Sequence, residues 1–209
     1  MTAVSFLDYA GVTLFAVTGA LAASRKQLDI VGFLFLATVT GIGGGTVRDL
    51  IIGAPVFWVQ QHAHIVGCVL AATVTFFTAH LLESRYRWLL WLDAMALAAY
   101  GVFGAYKGLV ATGSPVVAVA MGMLTGTFGG ILRDVLAGEP SALLRKEIYI
   151  TAAMLGAGVF VLAYTAGLAR PYAAGLGFVA AFGIRGGALA FGWTLPAYKS
   201  RPGRPPPEV

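Results

Sequence analysis

Continuous apolar runs of about 20 residues recur along this chain, and each is long enough to cross the hydrocarbon core of a bilayer as an α-helix. Seven such segments can be delimited: 6–24, 30–52, 63–82, 89–107, 115–137, 148–167 and 172–194. A membrane-spanning strand would alternate apolar and polar residues over about ten positions, and these runs do not. The chain is therefore expected to be an all-α membrane protein with seven transmembrane helices. Charged residues make up 11% of it and hydrophobic ones 58%, whereas an ordinary soluble domain is about 25% charged. The first run reads as a retained helix: no Lys or Arg precedes it, and Arg25 and Lys26 follow it, which is the reverse of a signal peptide.

The connections carry the topology signal. One side has Arg25, Lys26, Arg85, Arg87, Arg145, Lys146, Lys199, Arg201 and Arg204, and the other only Lys107 and Arg170. By the positive-inside rule the N-terminus lies outside and the C-terminus is cytoplasmic. The net charge of +5 thus marks membrane orientation, with lipid and not nucleic acid as the partner. Residues 196–209, rich in Pro and polar residues, read as a disordered cytoplasmic tail.

Laying the chain over itself so that Thr40 meets Thr125 aligns "TGIGGGTVRDLIIGAP" (40–55) with "TGTFGGILRDVLAGEP" (125–140), and eight of sixteen positions are identical. Residues 1–85 and 86–168 are read as two copies of a three-helix unit, and 169–195 as an added seventh helix. Three helices is an odd number, so the second copy enters the membrane upside down, a 3+3 inverted repeat of the kind many transport proteins use.

Both copies interrupt an apolar run with glycines and then an Arg-Asp pair. Gly43, Gly44 and Gly45 in the second segment, and Gly129 and Gly130 after Phe128 in the fifth, predict a bend or an unwound turn, since glycine weakens a helix interior. Freed carbonyls at membrane depth must be buried in protein or face a watery cavity, and exposed there they would suit a dehydrated monovalent cation. The same glycines also fit close helix packing. Charge inside a span is costly, so Arg48 is expected to pair with Asp134, and Arg133 with Asp49, across the two copies. Such pairs would either clamp the halves together or line and gate an ion path. Arg185 is a further buried-cation candidate, Asp8 and Asp93 read as helix ends, and Lys107 as a residue reaching the membrane surface. His62 and His64 do not share a helix face and have no carboxylate or thiolate set nearby, so no metal site is expected beyond a K⁺ at the two glycine clusters. No catalytic motif is present, and neither an enzyme nor a cofactor is expected.

Residues 25–58 and 122–140, which carry these glycine and Arg-Asp signatures, resemble the bacterial branch of the trimeric intracellular cation (TRIC) channel family, also labelled putative glycine transporters. The resemblance covers all but the tail. It implies a homotrimer in a bacterial inner membrane, each protomer with its own pore for K⁺ and other monovalent cations such as Na⁺, lined where the second and fifth segments kink. Gly43, Gly44, Gly45, Arg48, Asp49, Gly129, Gly130, Arg133 and Asp134 match the motif, while Phe128 replaces the first glycine of the second copy. A secondary transporter for a small zwitterion such as glycine is the alternative.

Overall fold

The computed structural model describes residues 3–82, 84–141 and 148–196. Within them eight α-helices follow one another: α1 (Ala3–Arg25), α2 (Ile30–Ile51), α3 (Phe57–Gln60), α4 (Ala63–Thr78), α5 (Arg85–Thr112), α6 (Pro115–Leu136), α7 (Ile150–Thr165) and α8 (Arg170–Phe191). The chain is an all-α membrane protein. The helices α1, α2, α5, α6 and α8, together with α4 and the 3-10 turn that extends it to Leu81, are six elements long and apolar enough to cross a bilayer. The sixth expected span corresponds to α7, whose 16 residues rise only about 24 Å. The single turn α3 was not foreseen. Arg145, Lys146, Lys199, Arg201 and Arg204, and residues 197–209 of the expected tail, lie outside the described residues.

Local chemistry sets the helix ends. The Asp29 carboxylate accepts from the Gly32 amide at 2.8 Å and caps α2. Ser114 caps α6, with Pro115 in its first turn, where the missing N–H has no cost. Gly53 and Gly138 adopt φ of +67° and +61°. The amides that follow close the same ring in both places, Ala54 N to Asp49 O and Glu139 N to Asp134 O, each 2.9 Å. The Gly-x-Pro that recurs at the matching place in the second copy is thus a helix-stop signal.

At the centre α1 and α5 pack together, with α2 and α4 around α1 and with α6, α7 and α8 around α5. Phe15, Leu21, Leu97, Tyr100 and Phe160 are fully enclosed. Val66, Leu70, Val74 and Phe77 leave one face of α4 exposed, as a lipid-facing helix requires.

Two pairs of matching positions, Gly19 with Gly104 and Thr40 with Thr125, make the same contacts. A Cβ on Gly19 would stand 2.6 Å from the Leu36 carbonyl and 2.7 Å from Thr40 Oγ1. One on Gly104, the matching position of the second copy, would stand 2.9 Å from the Met121 carbonyl and strike Thr125 Oγ1. Both threonines are enclosed, and each donates to the carbonyl four residues back at 2.6 Å.

Candidate functional site: two buried polar ends on either side of a glycine crossing

The glycine clusters meet each other. A Cβ on Gly44 would strike the Thr125 carbonyl, and one on Gly129 the Thr40 carbonyl. Because 44 faces 125 while 40 faces 129, α2 and α6 cross antiparallel, backbone against backbone. Gly45 lies against the Tyr100 hydroxyl and Phe57, Gly130 against the Tyr149 hydroxyl and Asp93. Gly43 faces the tip of Leu132, and Phe128 is half-buried. Both helices run unbroken through these residues, which corrects the expected unwound turn. An intact helix keeps its carbonyls satisfied at membrane depth, and here the absence of Cβ atoms serves close approach.

The crossing also decides the charge pairing. Arg48 and Arg133 lie beyond it in opposite directions, so neither can reach the other copy's aspartate. At one end Arg48 and Asp49 are fully buried. Arg48 Nε donates to Asp49 Oδ1 at 2.8 Å, and Asp49 also accepts from the Phe57 amide at 2.9 Å and from Lys107 Nζ at 3.2 Å. The Arg48 guanidinium is enclosed by Phe57, Tyr100 and Phe103, with ring centroids 5.6, 5.9 and 5.1 Å away. Such faces attract a desolvated cation.

At the other end Arg133 donates from Nε and Nη2 to Asp134 Oδ1 at 3.0 and 2.9 Å. Its Nη1 reaches Asp93 Oδ1 on α5 at 2.7 Å and Thr18 Oγ1 on α1 at 3.0 Å. Arg185 on α8 donates to the Ile148 carbonyl at 3.3 Å and lies over the Tyr149 ring. Arg25, Asp93, Arg133, Asp134, Glu139 and Arg185 converge on a pocket of about 20 Å³, room for about one water. Arg25 and Lys26 both pair with Glu139 there, at 3.3 and 3.1 Å.

The expected cross-copy pairs are therefore replaced by each arginine holding its own neighbour. Successive side chains on a helix diverge, but a long guanidinium folding back over the last turn reaches the next residue. Three partners were misjudged in the sequence. Asp93 is a buried acceptor for Arg133, Lys107 turns inward to Asp49, and Asp8 is buried against His64 Nε2 at 3.1 Å. The alignment of Asp8 with Asp93 in the repeat was the signal that could have found two of them.

Lys107, the partner of Asp49, lines a cavity of about 510 Å³ together with Asp8, Tyr9, Gln61 and Phe103 among others. Among the described residues there is no cluster of three or more His, Cys, Asp or Glu able to hold a metal ion.

A family model described as "Glycine transporter" matches the chain twice, over residues 5–80 and again, in the register of the repeat, over 90–165. The inner membrane protein YadS of Escherichia coli K12, a UPF0126 protein, is 37% identical over 198 residues, covering 93% of this chain and 96% of YadS. The chain belongs to this membrane-protein family. YvgT of Bacillus subtilis, another UPF0126 membrane protein, is 41% identical over 154 residues, 72% of this chain and 75% of YvgT. Among solved structures, the TRIC trimeric intracellular cation channel orthologue from Rhodobacter sphaeroides is 52% identical with a TM-score of 0.90, covering 92% of this chain and all of that one. The TRIC and UPF0126 proteins are thus one family with this chain in it.

Proposed function

We propose that this protein is a passive channel for monovalent cations, K⁺ among them, with a path inside each protomer of a homotrimer. The observation that carries the reading is the placement of buried charge: two polar ends, each built round an aspartate, flank a glycine crossing of α2 and α6. Arg48 and Arg133 hold Asp49 and Asp134 in fixed positions, so that carboxylate oxygen stands at each end of the crossing. Gly43, Gly44, Gly45, Phe128, Gly129 and Gly130 line the narrow part, and widening it requires α2 and α6 to part where Gly44 and Gly129 touch opposing carbonyls. Arg185 joins the lining at the Asp134 end. What supports cation conduction and the trimer is the 52% identity to a solved channel named for both.

Residues 1–85 and 86–168 form two inverted three-helix units in this reading, with 169–195 added. The N-terminus lies outside and the C-terminus in the cytoplasm of a bacterial inner membrane. The double family match and the paired contacts at Gly19 and Gly104 support the repeat. A second reading, transport of glycine or a similar zwitterion, is favoured by the description of the family model. Planar bilayers under a KCl gradient separate the two. The channel gives discrete unitary currents reversing near the potassium potential, and Arg48→Ala and Arg133→Ala change their size or open time. Silent bilayers, with saturable glycine uptake into liposomes from the same preparation, would sink the channel reading.

A further inference from the structure

The two copies treat their equivalent aspartates differently. Asp93 receives the guanidinium of Arg133 at 2.7 Å, a partner that never gives up its proton. Asp8, its counterpart in the first copy, receives His64 instead, from the position that Tyr149 occupies in the second copy. His64 is enclosed, stacked on Tyr9 with centroids 4.3 Å apart and edge-on to Phe57 at 4.8 Å. Its Nδ1 faces the Gln61 backbone carbonyl at 3.0 Å and its Nε2 faces Asp8 Oδ2 at 3.1 Å.

A carbonyl oxygen only accepts, and so does an ionised carboxylate. Both ring contacts can be hydrogen bonds only if the pair holds one proton more than a neutral imidazole and a carboxylate carry between them. Releasing that proton costs one of the two bonds, whichever tautomer remains. The other carboxylate oxygen, Asp8 Oδ1, is buried with no hydrogen-bond partner among the described residues, and Asp8 lines the 510 Å³ cavity.

We propose that His64 and Asp8 form a proton-binding site in the vestibule at the Asp49 end, and that its occupancy sets how readily cations enter. The charged groups around it fix the sign. On α2 stand Arg48 and Asp49, on α5 Lys107 and the neutral Tyr100, on α1 Tyr9, and on α4 itself Cys68. Arg170 at the start of α8 is engaged by Tyr106 at 2.8 Å. With the proton bound the pair is neutral, and Arg48, Lys107 and Asp49 leave one net positive charge. Without it the pair carries one negative charge and the cluster is neutral. Raising the pH therefore removes a repulsive charge from the cation's approach. One unit charge about 10 Å from a passing cation in a watery vestibule changes its occupancy about twofold.

The effect on flux rests on the channel reading; the proton site does not. Two measurements on the full-length protein in nanodiscs keep them apart. ¹⁵N-histidine NMR, with His62→Gln and His80→Gln to assign the signals, follows His64 from about pH 5 to 9, the range around an ordinary imidazole. The site predicts that His64 changes protonation in this range and that Asp8→Asn moves its midpoint. A His64 signal that does not titrate, or that Asp8→Asn leaves in place, overturns the site. Unitary K⁺ current over the same range is expected to rise about twofold on deprotonation in wild type and to stay flat in His64→Gln. A rise of the same size in His64→Gln overturns the coupling. A protein that passes no current while His64 titrates contradicts the channel reading and the coupling, and leaves the proton site intact.

Discussion

Arg133 shows how a permanent cation is kept inside a membrane protein. Its guanidinium finds Asp134, Asp93 and Thr18, so nearly every donor has a fixed acceptor. Removing one partner of a buried pair strands the other in low dielectric, at about 3–5 kcal/mol in soluble proteins. Asp134 stays behind in Asp93→Ala, and polar groups in an unfolded membrane state also find partners. The expected loss is thus about 2 kcal/mol. Thermal unfolding in detergent checks it, with Asp29→Ala at an exposed N-cap as the reference, expected to cost about 1 kcal/mol. Equal losses would mean that the Asp93 contact adds nothing beyond an ordinary surface bond.

The glycines act through the helices that carry them. At Gly44 and Gly129 the neighbour is a backbone carbonyl of the opposing helix, which cannot move unless the whole element does. Gly44→Ala is expected to destabilise by about 1–3 kcal/mol as overpacking does. Gly158 on α7 has nothing within 4 Å of its would-be Cβ, so Gly158→Ala is expected to stabilise by up to about 1 kcal/mol through helix propensity. Equal effects in a denaturation series would sink the crossing account. Helix count and position were largely legible in the sequence, because apolar length is a property of each segment alone. Pairing was not: whether Gly43–Gly45 opens a helix or lets another approach depends on the antiparallel register of α2 and α6, which no local pattern encodes. For the same reason the sequence singled out Arg48 and Arg133 as buried charges but assigned them partners across the crossing. Lys107 and Asp93 looked like segment ends because α5 extends from Arg85 to Thr112, beyond the 89–107 read from hydropathy.

The whole molecule places one polar end on each side of the closed crossing of α2 and α6. In the proposed channel the path runs along the crossing past Gly43, where the nearest obstacle to a Cβ is the flexible tip of Leu132 and a small side chain can be accommodated. The one native cysteine, Cys68, is buried, so wild type serves as the unreactive control. The most direct measurement is unitary K⁺ current through Gly43→Cys before and after a cationic thiol reagent. A path along the crossing predicts that the reagent cuts the current by more than half in Gly43→Cys and leaves wild type unchanged. A Gly43→Cys channel that reacts with the reagent yet conducts as before would place the path elsewhere in the protein.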